Sequence, residues 1–313
     1  MRVDRRVQKK KKTAKRIRLL LSLFTLFIFG IGTFIVLQFR DGMVQSASET
    51  ELPAETYEFD GKKDKNGSTN ILLLGSDSRG EEKARTDTIM IAQFNSKNNT
   101  QKIVSIMRDT YVDIPGHGKN KINAAYAYGG PELLRKTIKQ NFDVDLQYYT
   151  IVDFVGFQKA IDTAFPDGVE VNVEKRMSKN IGVTLEPGKQ KLDGAHLLGY
   201  VRFRGDAVGD FGRVDRQQEV MKALADQLIS VQGVTKIPKM AGVITPYVNT
   251  NLKTTDIVFM GTDALTGGAG NIDSLRIPVD GSFENKRYSG AGAVLDINTE
   301  KNKQALKEFL NEN

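Results

Sequence analysis

The residues best suited to chemistry in this chain are arginines and aspartates gathered in three short segments. The first is Gly75-Ser76-Asp77-Ser78-Arg79-Gly80, continued by Arg85-Thr86-Asp87-Thr88. It follows an unbroken apolar run, and loops at the carboxyl ends of central strands are where α/β sheets bind ligands. Asp77 and Asp87 could hold Mg²⁺ through carboxylate oxygens while Arg79 and Arg85 grip phosphate oxygens. The same residues would also suit an Asx-turn with surface salt bridges. The second segment, Arg108-Asp109-Thr110, ends the apolar run IVSIM and puts Arg108 at a sheet edge, or in a structural ion pair with Asp109. The third is Tyr200-Val201-Arg202-Phe203-Arg204, followed by Asp210-Phe211-Gly212-Arg213-Val214-Asp215-Arg216-Gln217-Gln218. An extended 200–204 would point Arg202 and Arg204 to one side. On the helix that follows, Arg213 and Gln217 are i,i+4 neighbours and share a face. Four donors could then meet one anion. A solvated basic face is the plainer alternative, but these bases sit beside apolar segments in an otherwise slightly acidic stretch of chain.

Other chemistries are poorly supplied. The chain has no cysteine, which removes disulfides, thiolate nucleophiles and Cys-ligated metals. Its two histidines are far apart: His117 lies in the turn Pro115-Gly116-His117-Gly118, and His196 reads as a helix-packing residue. Neither a G-x-x-x-x-G-K-[ST] loop nor a G-x-S-x-G elbow occurs. Phosphate or pyrophosphate chemistry is what remains.

The elements that must position these residues follow from patterning. The net charge of +7 over 313 residues is unevenly placed. Residues 1–18 hold ten Lys/Arg against one acid, Asp4, and the rest of the chain is slightly acidic. Leu19–Phe39 is uncharged and apolar, long enough as a helix to span a hydrocarbon core of roughly 30 Å. The basic flank keeps residues 1–18 in the cytoplasm and sends the remainder outside. A cleavable signal peptide would have a shorter apolar region, so an uncleaved single-pass type II anchor in the cell membrane is expected. That anchor accounts for the basic tail without a nucleic-acid partner.

Residues 40–68 are polar and read as an extracellular linker, and a globular pattern runs over 69–313. Strands are expected over 70–74, 88–94, 102–107, 148–152, 168–173 and 273–279. Helices are expected over 131–141, 153–163 with Asp153 as cap, 193–200, 213–231 and 299–310. The alternation predicts an α/β domain, a three-layer α/β/α arrangement with a central mixed sheet, plus one N-terminal transmembrane helix.

Six ordered blocks carry a specific resemblance: GSDSRG…RTDTIMIAQFN, KIVSIMRDTYVDIPG, KINAAYAYGGPELL, YYTIVDFVGF, LDGAHLLGYVRFR and DFGRVDRQQEV. They resemble the LytR-CpsA-Psr family of Gram-positive bacteria from about Thr69 into the helix after Arg216. Residues beyond about 240 carry little of the signature. One departure is Met107, which stands where the family usually has proline. The resemblance implies a membrane-anchored, Mg²⁺-dependent transferase of cell wall biogenesis. Its donor would be a glycopolymer (wall teichoic acid or capsule-type polysaccharide) on undecaprenyl pyrophosphate, and its acceptor the C6 hydroxyl of N-acetylmuramic acid in peptidoglycan. It further implies Asp77 and Asp87 at the metal, with Arg79, Arg85, Arg108, Arg202, Arg204, Arg213 and Gln217 on the substrate. Asp87, Arg108, Arg202 and Arg204 would be the catalytic residues, and Asn123 and Tyr126 would pack beneath the site. A non-catalytic polyprenyl-phosphate-binding regulator of cell-wall metabolism is the alternative.

Overall fold

The computed structural model describes residues 32–44, 57–76, 86–95, 97–98, 100–228, 237–253, 255–257 and 272–311, with residues 30 and 260. The basic tail and most of the expected membrane span lie outside these residues. Among the described residues, no helix is long and apolar enough to cross a membrane.

A six-stranded mixed sheet forms the centre, in the order β10-β3-β2-β1-β6-β9. Its strands are β1 (Thr69–Ser76), β2 (Thr86–Asn95), β3 (Thr100–Ile106), β6 (Tyr148–Asp153), β9 (Val248–Thr250) and β10 (Ile272–Ile277). β1 runs parallel to β6 and antiparallel to β2, and β10 runs parallel to β3. Alternation along the strands decides which face each side chain meets. Leu72, Leu74, Ile89, Ile91, Val104 and Ile106 all point to one face, where they pack with Leu134 and Ile138 of α2 (Ile122–Phe142) and Leu306 of α7 (Thr299–Asn311). On the opposite face lies α5 (Asp210–Leu228), where Gln218 donates to the Ser105 hydroxyl at 3.0 Å and to the Leu275 carbonyl at 3.1 Å. Helices therefore cover both faces of the central sheet.

Two smaller sheets complete the molecule. β4 (Thr110–Ile114), β5 (Gly118–Lys121), β11 (Phe283–Tyr288) and β12 (Gly292–Ile297) form one, in the order β11-β12-β4-β5. β7 (Val169–Val173) and β8 (Gly188–Leu192) form a hairpin. This hairpin shares a second core with α3 (Phe154–Ala164), α4 (Gly194–Arg202) and α5 through Ile161, Val171, Leu197, Tyr200 and Val220. The expected cap is present, with Asp153 accepting from the Gly156 amide at 2.6 Å, and Asp193 caps α4 in the same way, accepting from the His196 amide at 2.9 Å.

The segment preceding β1 is packed onto the domain from Tyr57 onward. Tyr57 and Phe59 contact the Tyr149 ring at 6.2 and 5.1 Å, and the Lys62 amide donates to Leu146 at 2.8 Å. Upstream, a helix over residues 32–44 (α1) continues past Phe39 and crosses α6 (Ile237–Ile244). The crossing is made by two glycines. A Cβ on Gly42 would lie 2.1 Å from the Lys239 carbonyl oxygen, and one on Gly242 would lie 2.2 Å from that of Phe39. Asp41 and Lys239 close the contact with an ion pair at 2.8 Å. Backbones meet this closely only where neither helix carries a side chain, so Gly242→Leu should force the helices apart at a cost of about 1–3 kcal/mol. The expected readout is faster amide exchange over residues 36–44 with β1–β3 unchanged; unchanged protection of both would refute the crossing.

Candidate active site

The carboxyl ends of β1, β3 and β6 and the start of β2 lie at one end of the central sheet. Arg108 follows β3 there, and Asp87 is the second residue of β2. The Arg108 Nη1 donates to Asp87 Oδ1 at 2.6 Å. Its Nε lies 3.4 Å from Asp109 Oδ2 and 3.3 Å from Asp210 Oδ2. Asp210 opens α5 and also receives Arg204 Nη1 at 3.4 Å and Arg213 Nη2 at 3.0 Å. Lys121 Nζ reaches Asp109 Oδ1 at 2.6 Å. Four cations and three carboxylates thus interlock, with Arg108 partly open to solvent and Arg213 buried.

Arg213 is the most constrained member. Its Nη2 also donates to the Asp87 carbonyl at 3.3 Å, while its buried Nε has no hydrogen-bond partner among the described residues. Burial presses its pKa below the ordinary guanidinium value; Asp210 opposes this, and neighbouring Arg108 adds to it. An excess of buried positive charge with an unused donor is what a bound anion would relieve. Burial likewise opposes charge on Arg108, but Asp87, Asp210 and Asp109 outweigh it and raise its pKa.

Burial pushes the Asp87 carboxyl up, yet Arg108, Arg213 and Arg204 together hold it below its ordinary 3.8. A carboxyl depressed on folding adds stability that is present above the unfolded value and lost as pH falls through the folded one. Asp87 should therefore stay ionised from about pH 5 upward, and its protonation should produce no acidic limb in a rate profile there. An activity profile from pH 5 to 8 in which Asp87→Asn abolishes such a limb would contradict this.

The structure brings together Asp87, Arg108, Arg204 and Arg213, four of the residues expected from sequence. Asp77, Arg79 and Arg85 lie outside the described residues. Gln217 is present beside them, but its amide donates to Thr88 Oγ1 at 2.9 Å and to the Val201 carbonyl at 3.4 Å, bracing α5 against β2 and α4. The expected extended 200–204 is corrected. α4 runs through Arg202 because Asp193 caps it and Leu197, Leu198 and Tyr200 bury one face. Phe203, which ends the helix, is extended, and Arg202 lies over the Phe154 ring at 4.3 Å while Arg204 reaches Asp210. Tyr126 is buried in the main core, and the Asn123 amide donates to the Arg108 carbonyl at 3.3 Å. His117 stacks on Tyr128 at 4.7 Å, and His196 meets its own cap, Asp193, at 2.7 Å.

The LytR_cpsA_psr family matches residues 34–308. The chain belongs to the LytR-CpsA-Psr family. Among its relatives, regulatory protein MsrR of Staphylococcus aureus (strain COL) is 46% identical over 279 residues, covering 89% of this chain and 85% of MsrR. Polyisoprenyl-teichoic acid–peptidoglycan teichoic acid transferase TagU of Bacillus mycoides (strain KBAB4) is 38% identical over 214 residues, covering 68% and 69%. The crystal structure of B. subtilis TagV superposes with a TM-score of 0.67 at 29% identity, over 79% of this chain and 98% of that one. The mixed α/β fold is therefore that of the LytR-CpsA-Psr proteins. The family match extends well past residue 240, where the sequence blocks fade. In place of the family's usual proline, Met107 donates its amide to the Ile277 carbonyl at 2.8 Å, a bond proline lacks. The turn holding Arg108 is closed by Thr110, whose amide and hydroxyl both donate to the Met107 carbonyl at 3.0 and 2.6 Å.

Sequence reasoning missed Asp210 and Lys121 as members of the site, and it offered Asp109 only as an ion-pair partner of Arg108, a pair the structure contains. Asp210 was legible only as the acid opening the DFGR segment. Arg213 is its i,i+3 neighbour and Arg204 is close to it in the chain, but nothing local shows that Arg108 reaches it as well.

Proposed function

We propose that this protein transfers a glycopolymer from undecaprenyl pyrophosphate to the C6 hydroxyl of N-acetylmuramic acid in peptidoglycan. The observation that carries this is the convergence of Arg108, Arg204 and Arg213 on Asp87 and Asp210 at the carboxyl end of the central sheet. A kinship with TagU, named for teichoic acid transfer to peptidoglycan, supports the same reading. The hydroxyl oxygen attacks the sugar-proximal phosphorus, the bond from that phosphorus to the bridging oxygen breaks, and the hydroxyl proton passes to water. A phosphodiester forms and undecaprenyl phosphate leaves. Charge grows on the bridging and equatorial oxygens as this happens, and fixed guanidiniums in a partly buried site stabilise it.

Arg108 and Arg204 face the ligand side of the cluster, and Arg213 supplies charge and its unused Nε from beneath. The carboxylate oxygens of Asp87 are hard donors of the kind Mg²⁺ takes, although Arg108 engages one of them. With Asp77 it would hold a Mg²⁺ ion, which would supply further neutralisation of pyrophosphate charge. The depressed pKa of Asp87 suits metal or guanidinium binding better than proton abstraction. Residues 19–39 would anchor the protein as a single-pass type II membrane protein with its domain outside, within reach of a membrane-embedded donor.

The test uses the full chain in nanodiscs with a polyprenyl-pyrophosphate-linked disaccharide and uncrosslinked peptidoglycan, followed by mass spectrometry with and without Mg²⁺. A Mg²⁺-dependent phosphodiester adduct and released polyprenyl phosphate are expected. Tight donor binding without adduct, across several donors, would instead favour a binding regulator, the role that the name of its relative MsrR suggests.

A further inference from the structure

α6 is an apolar helix, IPKMAGVI, whose single charge is Lys239. α1 reaches it directly from the expected membrane span. α1 is helical without a break over 32–44, and its backbone touches that of α6 at Gly42. Phe39 ends the uncharged run, and Gly42 follows within one helical turn. At about 1.5 Å per residue that is a rise of about 4.5 Å, and tilting the helix only lowers it. The headgroup layer on each side of a bilayer is about 5–7 Å deep. The backbone of α6 meets the same point, so α6 does not stand clear of the lipid.

Exposed apolar side chains gather at this end of the domain. Among the described residues, most of the large apolar side chains left exposed belong to it: Phe34, Val36, Leu37, Met43 and Val44 on α1, and Val155 in the first turn of α3. The neighbour of Val155, Gly156, sits against the turn that follows α6 (Thr245–Tyr247). A Cβ there would lie 2.6 Å from the Tyr247 carbonyl oxygen. Apolar groups gathered on one surface mark a contact with lipid or another apolar partner. Charges at the same level suit headgroups. Arg40 is exposed, and Lys239 holds Asp41 while its side chain stays 37% open. The mounting of α6 is rigid. The Thr245 hydroxyl donates to the Ala241 carbonyl at 2.6 Å, and β9 begins directly after the turn, pairing Val248 with Val152 of β6. On the other flank of Val155, the Phe154 ring carries the Arg202 guanidinium at 4.3 Å.

We infer that α6 lies in the headgroup layer of the outer leaflet, clamped to the emerging anchor, and that with Val155 it seats this end of the domain on the lipid surface. The inference rests on the anchor reading and adds the part of the domain that meets the bilayer. The partner is the lipid itself, because α1 sets the height of α6 and headgroups fill the space at that height. A donor whose pyrophosphate lies among those headgroups then meets the domain without leaving the membrane.

The chain has no cysteine, so a single introduced one takes a fluorophore at one place only. The full chain in nanodiscs carries a nitrobenzoxadiazole label at Val155→Cys or Met240→Cys. Leu26→Cys reports the span itself. Lys307→Cys, exposed on α7 beside β10, reports the opposite edge of the sheet, about 24 Å from β9 at the usual strand spacing. Lipids brominated on the acyl carbons nearest the headgroups should quench about half the emission at positions 155 and 240, since an interfacial helix sinks about 5–10 Å into that boundary. Emission at position 307 should not change. Quenching at 26 with none at 155 and 240 would overturn the inference and leave the anchor standing. A blue shift at 155 and 240 without quenching would overturn it too, since a protein surface or a second copy would then cover them. Equal quenching at 307 would do the same, because the whole domain would then lie on the membrane. Absence of quenching at 26 would remove the anchor, and the inference with it. Gly242→Leu, which parts α1 from α6, should lose most of the quenching at 240 and keep that at 26; full retention at 240 would overturn α1 as the clamp.

Discussion

Replacing Arg108 by alanine is expected to lower the transfer rate by about 10³-fold, the upper range for removing one fixed donor aimed at developing charge. Arg108 is the residue at which the two halves of the site meet, touching Asp87 from β2 and Asp210 from α5 at 2.6 and 3.3 Å. Its loss removes a partly exposed guanidinium at the centre of the cluster and frees Asp87 from the contact that keeps its oxygens oriented. Lysine should recover less than about tenfold, because a single ammonium cannot reproduce the planar fork that reaches two carboxylates and an anion together. The fold should tolerate the change. The partners are a fifth to a third exposed, and ion pairs of that kind contribute about 1 kcal/mol or less. A single-turnover assay with matched thermal unfolding would check both halves. Retained turnover in a well-folded Arg108→Ala protein would remove Arg108 from the reaction.

Asp210→Ala should act on stability and rate together. Its carboxylate is shared by Arg108, Arg204 and Arg213, and Arg213 is only 5% exposed in its side chain. Removing the carboxylate leaves a buried guanidinium without its nearest counter-charge, at a cost of about 3 kcal/mol. For a domain of this size that corresponds to a fall in Tm of roughly 6–12 °C. Turnover should drop about 10²-fold, since two further arginines lose their orientation. Asp210→Asn keeps an acceptor oxygen while deleting the charge and should fall between alanine and wild type in both respects. A bound polyanion should restore part of the lost Tm in the Asp210→Ala protein, because it supplies negative charge where the aspartate did. A destabilised variant that inorganic pyrophosphate does not stabilise would argue that Asp210 only packs.

Local signals in the sequence identified five of the six central strands, β9 excepted, and most helices because burial imposes a period on them. The run NILLL is continuous because β1 is covered on both faces, and the caps Asp153 and Asp193 sit where their helices begin. Elements without that signature were not legible. β11 reads FENKRY with four exposed residues in its middle, and β8 reads GKQKL with a single buried one. The first turns of α2 were hidden by Gly129 and Gly130, whose non-helical backbone splits the helix and leaves only the part after Pro131 with a recognisable start.

The sequence by itself determined the chemistry available to this protein: arginines and carboxylates at strand ends, no thiol, no histidine pair, and a basic flank on an apolar stretch. Residue type and short-range order suffice for that, since they state which charges exist and which lie beside buried strands. Only the tertiary structure decided which charges meet. Asp210 lies far along the chain from Arg108, and Gln217 bonds Thr88 across 129 positions. It also decided that Arg202 and Arg204 part company, one onto Phe154 and one onto Asp210, because α4 extends two residues further than its pattern suggested. Contacts over such separations arise from packing α5 across the sheet and the hairpin tip against α4, which no local period records.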